Sequence, residues 1–349
     1  MPNFSELNEL CRVIPDDSRH FPNDVFRAMK KLGLLKISVP NKNSNHEAQL
    51  FQTLFEIGKA SLSVGRIYEG HINALKLIED FGTRDQQEFY FNEAENGKLF
   101  SVWNTEMPSE AVTGEIKDEA VHITGAKTFC SGGLQIDYGL ITAEIDKQKQ
   151  LIIIPLKQFE RLEEDWSLWN PMGMKNSVSC RIDFSELKLP LQNLLGGGDE
   201  YEKEPWFSGG AMRFAAVQLG GARAIIQATR DHLVEQARTS DPYQQQRLGN
   251  MAVQMQTGKL WLDKAQHIYD YPEQYTSSEI VNFANMMRTV ILDICEKILH
   301  LAERSVGVQG FMESHPLEQL YRDLKVYLKQ PAPDLALQSV GKYTFDNKN

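Results

Sequence analysis

The sequence predicts an α+β protein in three segments. These are an N-terminal helical domain over residues 1–98, a small central β-barrel or sandwich over 99–198, and a C-terminal four-helix bundle over 199–349. Three observations carry this. Apolar residues recur at helical spacing up to about residue 98. Short apolar runs separated by polar turns then fill the next hundred positions. From about Pro205 the helical period returns and persists through four stretches, which is the pattern of a bundle.

The bulk composition agrees with a soluble, globular chain. Of 349 residues, 42% are hydrophobic and 24% charged, within the range of folded soluble domains. A net charge of −10 argues against a general nucleic-acid binder, which would present a basic face. The four cysteines (Cys11, Cys130, Cys180, Cys295) are scattered, without Cys-x-x-Cys or a histidine at metal-ligand spacing. They read as free thiols in a reducing compartment, and no metal site is expected. The polar, acidic start lacks the basic and apolar stretches of a signal peptide, and no apolar run reaches membrane-spanning length. A cytoplasmic location is the expectation.

In the first segment, Phe21-Pro22-Asn23-Asp24 opens a helix whose apolar face is Val25, Phe26, Met29 and Leu32, and Gly33 stops it. Residues 34–40 then read as an extended piece closing at Pro40. Further helices are expected over 46–59 (Leu50, Leu54, Ile57) and 65–80 (Leu75, Ile78), and Glu95-Asn96-Gly97-Lys98 leads into the first strand.

The central segment is organised around residues 100–133. Its two blocks are Phe100-Ser101-Val102-Trp103-Asn104-Thr105-Glu106 and Thr124-Gly125-Ala126-Lys127-Thr128-Phe129-Cys130-Ser131-Gly132-Gly133. Between them, residues 115–124 alternate charged and apolar around a turn at Lys117-Asp118, a hairpin pattern. Phe129 and Ser131 are two apart, so a regular strand would put ring and hydroxyl on one face. That pairing suits a flat ligand with polar edges, although Phe-x-Ser is more often ordinary sheet core. Strands are also expected over 137–143, 151–156, 173–177 and 180–184, with Gly196-Gly197-Gly198-Asp199 as the hinge into the last segment.

In the last segment one helix carries Phe214, Val217, Gly221, Ile225 and Ala228, and the next Leu248, Met251, Met255, Leu262 and Ala265. A third starts with a capping box, Thr276 to Glu279, ahead of Ile280, Phe283, Met287, Ile291, Ile294, Ile298 and Leu301. A fourth follows Pro316 with Leu317, Leu320, Tyr321, Leu324 and Tyr327. Met residues on these faces read as core filler.

Several blocks together resemble the acyl-CoA dehydrogenase family of flavoproteins. Trp103-Asn104-Thr105-Glu106 resembles the family's aromatic-x-x-Thr-Glu block, and residues 125–132 its Gly-x-Lys-x-aromatic-x-Ser/Thr-x-Gly block. Phe81-Gly82-Thr83-Arg84-Asp85-Gln86 resembles its Phe-Gly-Thr-x-x-Gln turn. Leu189-Pro190-Leu191-Gln192-Asn193-Leu194-Leu195-Gly196 resembles the exit of its β domain. The resemblance implies FAD as cofactor, held by Trp103, Thr105, Phe129 and Ser131, with Arg238 and Gly307 (in Gly307-Val308-Gln309-Gly310-Phe311) reaching the FAD of a neighbouring subunit. It also implies Arg213 beside the substrate, and a homodimer or homotetramer.

The phosphate loop departs from the family pattern. Met107-Pro108-Ser109-Glu110-Ala111 is shorter and lacks the glycines, and Ser109 is the only hydroxyl that could substitute there. Val308 replaces a family glycine, and Asp241-Pro242 replaces the Phe-Gly that follows the family's arginine. Neither family position for the catalytic Glu holds a carboxylate: Met212 precedes Arg213, and Pro331 stands in the turn after Arg322-Asp323. Asp334 and His71 are the substitute candidates, while Glu106 reads as structural, tied to Lys127. The resemblance therefore implies an FAD-dependent oxidoreductase acting on a CH–CH group of an acyl thioester, possessing no identified base. A flavin-dependent monooxygenase on the same fold is one alternative, and an inert, flavin-free scaffold is the other.

Overall fold

The computed structural model describes residues 4–17, 19–40 and 50–347. The expected start of a helix at 46–49, and Asn41-Lys42-Asn43-Ser44-Asn45, lie outside them. In chain order the helices are α1 (Ser5–Arg12), α2 (Asn23–Lys31), α3 (Leu50–Ala60), α4 (Leu62–Phe81), α5 (Arg84–Glu95), α6 (Trp206–Gly209), α7 (Ala211–Glu235), α8 (Pro242–Asp270), α9 (Ser277–Val306), α10 (Pro316–Tyr327) and α11 (Pro333–Asp346). The strands are β1 (Phe100–Trp103), β2 (Thr113–Lys117), β3 (Ala120–Thr124), β4 (Ala126–Cys130), β5 (Tyr138–Ile145), β6 (Gln148–Pro155), β7 (Glu164–Asp165), β8 (Cys180–Asp183), β9 (Leu187–Pro190) and β10 (Leu194–Leu195).

Packing divides the chain into two compact units, which differ from the three segments that element type delimits. The first comprises Met1–His46, Arg66–Pro171 and Lys175–Phe207, the second Glu47–Gly65, Met172–Met174 and Ser208–Asn349.

In the first unit, a seven-stranded sheet has the order β10-β6-β5-β2-β3-β9, with β1 parallel to β5, and a three-stranded sheet has the order β4-β8-β7. Two hairpins set the larger sheet. Asp118 and Glu119 join β2 to β3, and Asp146 and Lys147 join β5 to β6, all four at positive φ. Two consecutive left-handed residues are the connection whose twist matches that of paired strands. The first turn lies one residue beyond the expected Lys117-Asp118. Residues from α4 and α5 (Leu75, Ile78, Tyr90, Ala94) share one buried cluster with Phe100, Leu140, Ile153 and Leu195. Helices from the first segment therefore complete the core of the strands. Gly33 takes up φ +70° and ends α2 as expected, but residues Leu34–Lys36 form a 3-10 turn instead of an extended piece. The strand expected at 173–177 is likewise a 3-10 turn at its end, Lys175–Ser177.

In the second unit the four expected helices are α7, α8, α9 and α10. The capping box at Thr276 and Glu279 is present in both directions. Two further helices join them, α3 against α7 and α11 against α9. The α3–α7 crossing is backbone on backbone. A Cβ on Gly58 would lie 2.2 Å from the Val217 carbonyl oxygen, and one on Gly220 2.1 Å from that of Phe55. Only glycine permits that approach.

Candidate active site

Strand β4 does not alternate. Its register against β8 pairs Lys127 with Ile182 and Cys130 with Cys180, so one extra residue is inserted opposite Arg181. The bulge is absorbed at Phe129, which adopts φ +53°, a strained value for an aromatic residue. Thr128 fixes it in place, since its backbone N–H and its hydroxyl both donate to the Thr105 carbonyl, at 2.8 and 3.3 Å.

This overturns the expectation that Phe129 and Ser131 share a face. The Phe129 ring is 49% exposed, whereas Ser131 is 2% exposed. Phe129 meets Trp169 edge-on, with centroids 6.3 Å apart. The Ser131 hydroxyl instead turns inward, 2.9 Å from that of Ser179, which is 2.8 Å from that of Ser177. The Ser131 carbonyl accepts from the Ser101 hydroxyl and from the Trp103 indole N–H. Trp103 is itself 1% exposed, so its indole belongs to the core and only its backbone remains for a ligand. Thr105 is exposed.

Beneath this surface lies a fully buried lysine. Lys127 pairs with the Glu106 carboxylate and donates to the Thr142 hydroxyl at 3.0 Å, and Thr142 donates to Asn104 at 2.6 Å. Glu106 also accepts from the Val112 N–H. Burial pushes the Lys127 ammonium below the usual lysine range, against the Glu106 carboxylate, which favours its charge. Glu106 is tied to Lys127, as its sequence context suggested.

Arg181 lies on β8 across from the bulge. Its guanidinium forms a two-pronged pair with Glu110, at 2.8 and 2.9 Å. It also lies 3.3 Å from Asp183 and 3.6 Å from Asp165. Sequence reading missed this cluster, and no local signal announces it: Arg181 and Glu110 are 71 positions apart.

His71 is not poised as a base. The residue is fully buried, its Nδ1 accepts the Phe100 N–H at 3.2 Å, and its Nε2 stands 2.7 Å from the Leu35 carbonyl. Burial holds its pKa down to about 4. Both nitrogens are committed, so neither is available to take a proton from a substrate.

In the second unit, Arg213 is buried on α7. Arg238 is bound at 3.0 Å by Asp241, the residue that caps α8 by accepting from Tyr243 and Gln244. Gly307 ends α9 at φ +74°, with open space where a Cβ would project. Asp334 does not lie in a turn, because Pro333 starts α11 and Asp334 occupies its exposed first turn. Asp323, on α10, accepts the Met174 N–H at 2.5 Å, and Arg322 donates to the Met172 carbonyl.

Residues 6–98 match the family model for the acyl-CoA dehydrogenase N-terminal domain, and residues 197–328 that for the acyl-CoA dehydrogenase C-terminal domain. YdbM of Bacillus subtilis is 25% identical, with 92% of this chain and 89% of YdbM aligned. Acryloyl-CoA reductase (NADH) of Anaerotignum propionicum is 23% identical over 92% of this chain and 86% of its own. Dibenzothiophene monooxygenase of Rhodococcus erythropolis is 21% identical over the same shares, 92% and 86%. Among solved structures, FMN-bound TdsC from Paenibacillus sp. A11-2 superposes with a TM-score of 0.87 at 18% identity, covering 98% of this chain and 96% of that one. Butyryl-CoA dehydrogenase from Megasphaera elsdenii gives 0.82 at 17% identity, covering 97% of each. At such identities the structures establish the fold, and the two domain models establish descent. The chain belongs to the acyl-CoA dehydrogenase family.

Proposed function

We propose that the chain is a flavin-dependent oxidoreductase whose chemistry does not use the family's carboxylate base. The observation that carries the flavin reading is the outward Phe129 ring, held at positive φ by a bulge and braced edge-on by Trp169. An exposed, strained aromatic is expensive to maintain without a planar ligand to cover it. The ring end of a flavin fits this surface, with Phe129 and Thr105 facing outward. The phosphate end fits poorly, because the Arg181 cation beside the bulge is already neutralised. FAD is the family's expected cofactor; Arg238 and Gly307 would reach it only across a subunit interface, in a homodimer or homotetramer. Bound there, a flavin would supply hydride or oxygen chemistry that no side chain can.

The lack of a carboxylate at either family position, Met212 and Pro331, favours the monooxygenase reading over ordinary dehydrogenation. Removing an α proton from a thioester needs a positioned acceptor, typically contributing about 10²- to 10⁴-fold. Met212 and Pro331 cannot accept a proton, both His71 nitrogens are bonded, and Asp334 faces solvent on α11. Two relatives are in keeping with this, since dibenzothiophene monooxygenase aligns over 92% of the chain and the FMN-bound TdsC shares the fold. Dehydrogenation of a CH–CH group in an acyl thioester remains the second reading, supported by the family's name and by acryloyl-CoA reductase. In either case Arg213, buried on α7, is the residue proposed beside the substrate.

One experiment separates the two. Flavin-loaded protein is mixed anaerobically with acyl-CoA thioesters of varied chain length while the flavin absorbance is followed. No bleaching with any thioester, and product formation only when reduced flavin and dioxygen are supplied, is the expected result. Bleaching by a thioester would overturn the base-free reading.

A further inference from the structure

We infer that this chain recognises a flavin by its ring and gains no affinity from a diphosphate tail, with Glu110 as the residue that withholds Arg181 from it. The inference rests on the flavin reading above and concerns which flavin is held.

The loop after β1 carries a carboxylate where a phosphate-binding loop would present backbone N–H groups and glycines. Glu110, at the end of the 3-10 turn Pro108–Glu110, takes both the Nε and the NH2 edge of Arg181. That is the two-point geometry by which a guanidinium would otherwise grip a phosphate. Asp183 and Asp165 approach the same guanidinium at 3.3 and 3.6 Å. One cation thus stands among three carboxylates, a local excess of negative charge opposite the Phe129 bulge. A pyrophosphate brought there would meet a filled guanidinium and like charges within a Debye length, about 10 Å at 0.1 M salt. Lys127, the neighbouring cation on β4, is buried and pairs with Glu106.

The second unit repeats the arrangement in its own terms. Arg238 is held by Asp241, whose carboxylate is in turn fixed by the N–H groups that open α8. Arg181 and Arg238 are therefore each paired with an acid. The isoalloxazine ring, which is uncharged when oxidised, is indifferent to these acids and needs only the aromatic surface of Phe129 and Trp169.

The test titrates flavin-free full-length protein with riboflavin, FMN and FAD, read by quenching of flavin fluorescence. The expected result is three dissociation constants within about tenfold of one another, with little salt dependence, because no phosphate contact contributes. Glu110→Gln should tighten FAD relative to riboflavin by about five- to tenfold at low salt, the size expected from removing one nearby like charge and freeing Arg181. Asp165→Asn, at a half-buried position, should shift the ratio in the same direction by less, and serves if the Glu110 variant misfolds. Tight binding of FAD, about 100-fold or more beyond riboflavin, overturns the inference while leaving the flavin reading intact. An unchanged ratio in folded Glu110 and Asp165 variants also overturns it. Absence of quenching by all three overturns the flavin reading itself.

Discussion

His71 accepts the backbone N–H of Phe100 through Nδ1 at 3.2 Å, which leaves the ring proton on Nε2, facing the Leu35 carbonyl. The native state therefore holds a neutral imidazole, and protonation at Nδ1 would turn an acceptor toward a donor. The native pKa is about 4, below the usual 6.5. A depressed native value means stability that is complete above pH 6.5 and lost as pH falls toward 4. The loss amounts to about 3 kcal/mol over that window. Denaturant unfolding at steps across it should show this slope. In His71→Gln the slope should flatten while stability at pH 7 drops.

The buried ion pair makes a second prediction. Lys127→Met leaves Glu106 and Thr142 without the ammonium, and should cost about 3–5 kcal/mol. The double variant Lys127→Met, Glu106→Leu should cost less than the lysine change alone, because no uncompensated charge remains. Midpoints of urea unfolding at unchanged slope are the measurement.

Two glycines in the helices should respond in opposite ways. Gly220→Ala would drive a Cβ against the Phe55 carbonyl, 2.1 Å away, and should destabilise by about 1–3 kcal/mol or more as α3 is pushed off α7. Gly249, inside α8, has nothing within 4 Å, and Gly249→Ala should stabilise by about 0.8–1 kcal/mol through helix propensity alone. Thermal melts of the pair would decide it.

His315, backed by His232, caps α10. His315 Nδ1 accepts the Leu317 N–H at 3.1 Å, and His315 Nε2 stands 3.2 Å from His232 Nδ1. Burial and the neighbouring His232 push the His315 pKa down, so the capped, neutral state is lost as pH falls. His315→Ala should cost about 1 kcal/mol, and His315→Asn, which can still cap, should cost less. Protection of the Leu317 amide, relative to its intrinsic exchange rate at each pH, should fall in acid for the native chain, and much less for the asparagine variant.

Much of the fold is legible because its signals are local. Gly33 stops α2, Thr276 and Glu279 box the start of α9, and polar pairs turn the hairpins, each within a few residues. The site is less legible because its determinants are distant. The two-residue spacing of Phe129 and Ser131 predicts a shared face only if β4 is regular, and the inserted residue shows only against β8. His71 is decided by Leu35 and Phe100, 36 and 29 positions away. Helix α11 is hidden by two prolines that suggest a redirected chain, although proline at the first helical position is favourable. The missing carboxylates at Met212 and Pro331, by contrast, are plain from the sequence alone.

The interleaving of the two units bears on how the gene can be cut. A fragment beginning at Ser208 would carry α7 to α11 but lack α3, leaving bare the strip of α7 around Val217 and Gly220. It would also lack the tripeptide Met172–Met174, whose backbone Asp323 and Arg322 hold. No single stop codon or start codon therefore frees a complete half. Truncated forms should accumulate as aggregates, and deletions tolerated in evolution should fall in loops instead of removing a unit.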